Sequence, residues 1–296
     1  MQPTIITTVF MPLALGIVML GLGLSLTVDD FKRVLNYPRA VMIGLFCQMI
    51  LLPAVAVGVA HLFHLQAALA VGLMLLAAAP GGATANLFSH LAKGDVALNI
   101  TLTAVNSLLA LFTLPLIVNW SLVHFMGEGQ VIPMVLSKII EVFVIVLGPV
   151  AIGMAVRRST PATADRLDKP VRILSALILL LFIAASVAAQ RENMARYFQQ
   201  VGLAALTFNL VSMAAGYMIP RLFGVLTKQA ISIGMEIGIH NGTLAIYLAS
   251  QILKQPDMTI SPAIYSLIMF FTAAAFSTFM ARRAGSDEAA APASAP

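Results

Sequence analysis

The sequence predicts an all-α polytopic membrane protein, and three observations carry that expectation. Of the 296 residues, 60% are apolar and only 10% charged, whereas soluble domains run at about 25% charged. Mean hydropathy is +0.95, which leaves little room for a soluble domain. The apolar residues form continuous runs of about 20, enough for a helix to cross a bilayer core. A membrane β-barrel would instead need alternating strands of about ten residues.

Nine spans are expected, at about 4–27, 40–60, 67–91, 96–118, 131–156, 171–189, 200–219, 230–253 and 262–281. The first is longer than a secretory signal core and has no basic segment before it, so it is read as a retained helix. Residues 157–169 are expected to form the longest cytoplasmic connection, dividing the chain into halves of similar length. Residues 1–283 are read as one transmembrane domain. Residues 284–296, rich in Ala, Pro and Ser, are read as a disordered cytoplasmic tail. The single cysteine, Cys47, excludes an intramolecular disulfide and is read as inert packing.

Basic residues set the orientation. Alternate loops and the C-terminal end hold Lys32, Arg33, Arg39, Lys93, Arg157, Arg158, Arg166, Lys169, Arg221, Lys228, Arg282 and Arg283. The opposite side holds Arg191, Arg196 and Lys254. The C-terminus is therefore expected in the cytoplasm and, with nine spans, the N-terminus outside, in the cell (inner) membrane. The net charge of +5 is assigned to cytoplasmic loops, with no nucleic-acid partner implied.

Two spans are expected to be interrupted. Span 3 contains Pro80-Gly81-Gly82-Ala83-Thr84-Ala85-Asn86, a helix breaker followed by small and polar residues. Span 8 contains Glu236-Ile237-Gly238-Ile239-His240-Asn241-Gly242-Thr243. A carboxylate in mid-span costs about 3 kcal/mol on insertion scales, so it persists with a partner or a function. The two spans run in opposite directions. Interrupted helices at corresponding places in two oppositely oriented halves mark a transporter's binding site.

Nearby polar residues supply oxygen: Gln48 in span 2, Thr84 and Asn86 after the first break, and Asn99, Thr101, Thr103, Asn106 and Ser107 in span 4. Asn99 and Thr103 are four apart and share one helical face. Carboxylate, amide, hydroxyl and carbonyl oxygens suit a hard cation, and the sequence holds no His/Cys cluster for zinc. His61, His64, His90 and His124 fall at span ends and are read as interfacial, and Trp120 as part of an interfacial belt.

The stretches Pro80–Asn86, Leu91–Leu98 and Glu236–Gly242, with Gly16–Thr27, Asp30, Gln48 and Pro53, resemble the bile acid:sodium symporter family. The resemblance covers the chain except its tail and fits a bacterial-type member in the nine-helix form. It implies inverted repeats with two broken crossover helices. Spans 1, 5 and 6 would form a panel domain and the remaining spans a core. It implies no cofactor beyond sodium as coupling ion, and a small organic anion, such as a bile acid or small carboxylate, as substrate.

One implied sodium site uses Asn86, Asn99, Thr103 and Glu236. There, Ala85 replaces a usual serine and Asn99 another. The second uses Gln48, Glu236, backbone carbonyls around Ile237 and Ile239, and residue 240. That residue is usually glutamine, but His240 offers ring nitrogens, which are poor sodium ligands. Its role stays open among a hydrogen bond to a core hydroxyl, ion coupling and substrate contact. Thr84, Asn241, Gly242 and Thr243, at the two breaks, are the substrate candidates.

The resulting expectation is a sodium-coupled symporter importing an organic anion by alternating access, with the oligomeric state open. Proton coupling through Glu236 and His240 is the alternative. An intramembrane enzyme would need a nucleophile aligned with a base. No Ser or Cys stands within a helical turn of His240, and Thr243 is the nearest hydroxyl. The chain is therefore not read as an enzyme.

Overall fold

The computed structural model describes residues 10–127, 136–189, 191, 192 and 194–290. Residues 4–9 of the first expected span, 131–135 of the fifth and 291–296 of the expected tail lie outside the described residues. The structure is almost wholly helical. Six helices are long and apolar enough to cross a membrane, or seven if the bent pair Met11–Ser25 and Val28–Leu35 counts as one span. This is the build of a polytopic membrane protein.

Helix α1 (Met11–Ser25) bends by 72° into α2 (Val28–Lys32) and the turn behind it. Thr27 and Asp30 make the corner. The Asp30 Oδ2 accepts from the Thr27 backbone N–H at 2.7 Å, a reciprocal capping arrangement. Helices α3 (Pro38–Phe46) and α4 (Leu52–Leu62) form one long span, joined through a π turn over Cys47–Leu51. Pro53 has no N–H to donate, and the ladder widens just before it. Gln48 sits on that widened turn, where π segments often place functional side chains.

The next span breaks. Helix α5 (Ala67–Ala78) stops at extended Ala79, the residue before Pro80, and α6 (Thr84–Leu91) resumes after the glycines. Helix α7 (Val96–Met126) reaches eight residues beyond its expected end. Helices α8 (Leu136–Ser159) and α9 (Pro161–Ala189) correct one expectation. The long connection over 157–169 is absent, and only Thr160 separates the two helices. Pro161 opens α9 with a φ already suited to a helix. Ion pairs from Arg157 to Asp165 and from Arg172 to Asp168, each at 2.5 Å, then lace its polar end.

Helix α10 (Met194–Leu222) precedes the second broken stretch, α11 (Thr227–Gly238) and α12 (Gly242–Tyr247). Glu236 lies in the last turn of α11, so the break falls just after it, at Ile239–Asn241. Helix α13 (Ile260–Ala290) runs past residue 283, the expected end of the membrane domain.

Two sets of helices pack internally. Helices α1, α8 and α9 contact one another, while α10 packs on α11 and α13, and α7 on α5 and α11. Without a hydrophobic effect between helices in lipid, close approach of small residues matters most. At the α1–α8 contact, Gly23 lies directly against the Val150 backbone and Gly153 against Gly23. The Arg157 Nε donates to the Leu24 carbonyl at 2.6 Å and ties the ends of these helices together.

Candidate functional site: a cation cradle at two crossed helix breaks

A break in a membrane helix frees backbone groups that lipid cannot satisfy. Here the two breaks satisfy each other. Gly82 N–H donates to the Ile239 carbonyl at 2.8 Å, and Asn241 N–H donates to the Pro80 carbonyl at 3.0 Å. Gly81 and His240 thus face each other across a short antiparallel bridge. Gly81 must be glycine, because a Cβ there would run into the Glu236 carboxyl group. Gly242, at the start of α12, is similarly held against the Ser266 hydroxyl.

Glu236 is buried, with 2% of its surface exposed. Its Oε2 accepts from the Thr103 hydroxyl at 2.6 Å and from Asn99 Nδ2 at 3.0 Å. Asn99 Nδ2 also donates to Asn86 Oδ1 at 2.9 Å. The structure therefore gathers Asn86, Asn99, Thr103 and Glu236 from α6, α7 and α11 into one network. The Thr103 hydroxyl also lies 3.0 Å from the Asn99 carbonyl, the local bond often seen for threonine in membrane helices. Glu236 Oε1 and Asn99 Oδ1 are buried and find no hydrogen-bond partner among the described residues. Buried oxygens are normally satisfied. Acceptor atoms left over beside a carboxylate suit a hard cation.

The second expected group is arranged differently. Gln48 Nε2 donates to the Ala79 carbonyl at 3.0 Å, at the end of α5, and its Oε1 has no partner among the described residues. The His240 ring stacks at 8° on Phe208, with 6.1 Å between centroids, and lies 5.4 Å from Tyr265. Neither ring nitrogen has a partner among the described residues, so no core hydroxyl among them holds it. The Ile239 carbonyl already accepts from Gly82. The Gly238 carbonyl accepts from Asn209 Nδ2 at 2.8 Å and from the Tyr265 hydroxyl at 3.0 Å.

Thr84, His240, Asn241, Gly242 and Thr243 line one small cavity of about 50 Å³. Its opposite wall is Val18, Met19 and Leu22 of α1 with Ser175 and Leu179 of α9. None of its lining residues carries a formal charge other than a protonatable His240. Asn241 Oδ1 caps α12 by accepting from Leu244 N–H at 3.0 Å.

Sequence reasoning passes over Asn209 and Tyr265 as site residues, because a lone amide or phenol in a span carries no pattern. Asn106 is visible as a polar residue but has no place in the expected site. Its spacing from Asn99 and Thr103 puts it on their face of α7, and its Nδ2 is buried without a partner among the described residues.

The sodium bile acid symporter family profile matches residues 12–197 of this chain, more than half its length. The chain belongs to that family. The match includes Gln48, Asn86, Asn99 and Thr103. Glu236 and His240 lie beyond it, within the longer alignments to relatives. The chain is 27% identical over 280 residues to an uncharacterized sodium-dependent transporter, YocS, of Bacillus subtilis, covering 95% of this chain and 85% of that one. It is 26% identical over 288 residues to rice "probable sodium/metabolite cotransporter BASS2, chloroplastic", covering 95% and 67%. Human sodium/bile acid cotransporter 4 is 30% identical over 285 residues, covering 90% and 62%. Family and relatives are transporters. This member is an integral membrane transport protein, not an enzyme.

Proposed function

We propose that this protein is a sodium-coupled symporter that imports a small organic anion by alternating access. The observation that carries the reading is the Glu236 carboxylate. It is buried where two broken helices cross, among amide and hydroxyl groups of Asn86, Asn99 and Thr103. One sodium ion there would be held by these four residues. A second group would comprise Gln48, Glu236, His240 and the carbonyls around Ile237 and Ile239. The names of the relatives, sodium-dependent transporter and sodium/metabolite cotransporter, support the coupling ion.

The cavity beside the breaks would take the substrate, through Thr84, Asn241, Gly242 and Thr243. No Lys or Arg lines it, so the cotransported cation would supply the compensating charge for an anion. A bile acid or a small carboxylate fits that chemistry.

Under this reading the chain has nine spans in inverted repeats, counting each broken helix pair once. The separate packing of α1, α8 and α9 supports a panel domain, and the remaining helices a core within residues 1–283. The basic loops support an N-terminus outside and a C-terminus inside a cell membrane. Cysteines introduced at positions 195 and 163, in a Cys47-free background, check this. An impermeant thiol reagent should label the first from outside intact cells, and the second only after permeabilisation. The reverse pattern would overturn the topology.

The imidazole at position 240 favours one refinement. Histidine supplies no amide oxygen, so fewer sodium ions should be coupled per cycle than in family members with glutamine there. Proton coupling through Glu236 and His240 is the competing mechanism. Uptake of a panel of organic acids into sealed proteoliposomes, driven by a sodium or a proton gradient, decides between them. Uptake with a proton gradient alone would overturn the sodium reading.

A further inference from the structure

Away from the helix breaks, two imidazoles meet at the ends of α4 and α7. His61 Nε2 and His124 Nε2 are 2.9 Å apart, with the rings at 87°. Trp120 stacks on His124 at 4.6 Å and 12°, and Phe125 lies against both imidazoles. Both histidines are exposed. We propose that His61 and His124 form a transition-metal site that bridges α4 and α7, taking Cu²⁺ ahead of Zn²⁺ or Ni²⁺.

A neutral imidazole has one N–H and one lone pair. Two Nε2 atoms in contact therefore share a single proton, and a metal ion can take that proton's place. Two nitrogens bound at about 2.0 Å and at right angles in a square-planar site lie about 2.8 Å apart. The observed 2.9 Å spacing equals that separation, but with ring centroids 5.2 Å apart the two Nε2 atoms point at each other, so each ring must turn by roughly 45° for both lone pairs to meet one ion. Their place at the ends of the two helices lets an aquated ion reach the nitrogens without burying charge. The Trp120 and Phe125 contacts keep the two imidazoles beside each other, so little side-chain freedom is lost when they turn onto an ion. The preference for copper follows the general order of divalent affinities for nitrogen ligands.

Trp120 is the sole tryptophan of the chain, so its fluorescence reports on this spot alone. Cu²⁺ titrated into tag-free, detergent-solubilised full-length protein should quench it in a saturable phase of one equivalent. Zn²⁺ should reverse the quench only in large excess. His61→Gln leaves the Trp120–His124 stack but removes one ligand, so half-saturation should rise roughly 100-fold as chelation is lost. His124→Gln should do the same. The bound copper should show two imidazole nitrogens by electron paramagnetic resonance. If His61→Gln titrates like wild type, or the resonance shows one nitrogen, the pair is only a hydrogen bond and the proposal fails. Gel filtration of each variant separates loss of the site from loss of the fold.

Discussion

The two oxygens of Glu236 meet different surroundings. Oε2 is tied to α7 through Thr103 and Asn99. Oε1 makes no well-aligned hydrogen bond among the described residues and lies against the first break, where only a glycine fits, with the Asn106 amide and Gly81 backbone beside the carboxylate. The side chains expected beyond it, Gln48 and His240, also keep atoms without partners among the described residues. One half of the cradle is thus already knitted by hydrogen bonds. The other presents an amide oxygen and an imidazole that no such bond engages. The contrast separates residues that hold the carboxylate in place from residues whose polar atoms stay unengaged among the described residues.

Removing the shared carboxylate tests both halves together and should have the largest effect. Glu236→Ala should abolish sodium-driven uptake while gel filtration shows a folded protein. Accumulation at the wild-type level would show that Glu236 is not the central ligand. Next comes the crossing itself. Gly81→Ala would press a methyl group on the carboxylate, and overpacking of this kind costs about 1–3 kcal/mol. Uptake should fall about five- to 150-fold on that basis. Normal uptake would mean that the close approach of the two breaks is dispensable.

Smaller effects should distinguish the halves. Asn86→Ala and Thr103→Ala each remove one neutral group while Glu236 keeps the charge. Each should raise the sodium concentration for half-maximal uptake by about three- to tenfold: Thr103 bonds the carboxylate directly, worth about 1.5–3 kcal/mol less what water replaces, and Asn86 bonds the Asn99 amide that does so. A change in substrate affinity at saturating sodium, with sodium dependence unaltered, would make these residues substrate contacts. The subtlest effect is expected on the other side. His240→Gln supplies an amide oxygen, so the Hill coefficient for sodium should rise above that of wild type. A wild-type coefficient near 2, unchanged in the variant, would leave His240 outside the coupling site.

Much of this arrangement is legible in the residues alone. Continuous apolar runs announce the helices, and Pro80 with two glycines announces the first break, because both signals are local. The second break falls at Ile239–Asn241, inside the expected stretch and between Gly238 and Gly242. No proline marks it, and its position follows from pairing with the first break. The helical extension over 161–169 escapes a local reading for a similar reason. Its charges read as a loop, whereas in the fold they pair along and beside a helix that opens at Pro161.

By itself, the sequence determined the membrane class, the two weak points in the helices and the oxygen-rich residues beside them. Each rests on hydropathy or backbone chemistry within a few neighbouring residues. Only the tertiary structure decided that Gly82 and Ile239 bond to each other. It also decided that Thr103 and Asn99 share one oxygen of a carboxylate more than 130 positions away, and that Asn209 and Tyr265 hold the Gly238 carbonyl at the end of α11. Such contacts depend on how helices cross. The crossing is set by small residues and buried polar groups meeting across the whole chain, and no local pattern encodes which of them will meet.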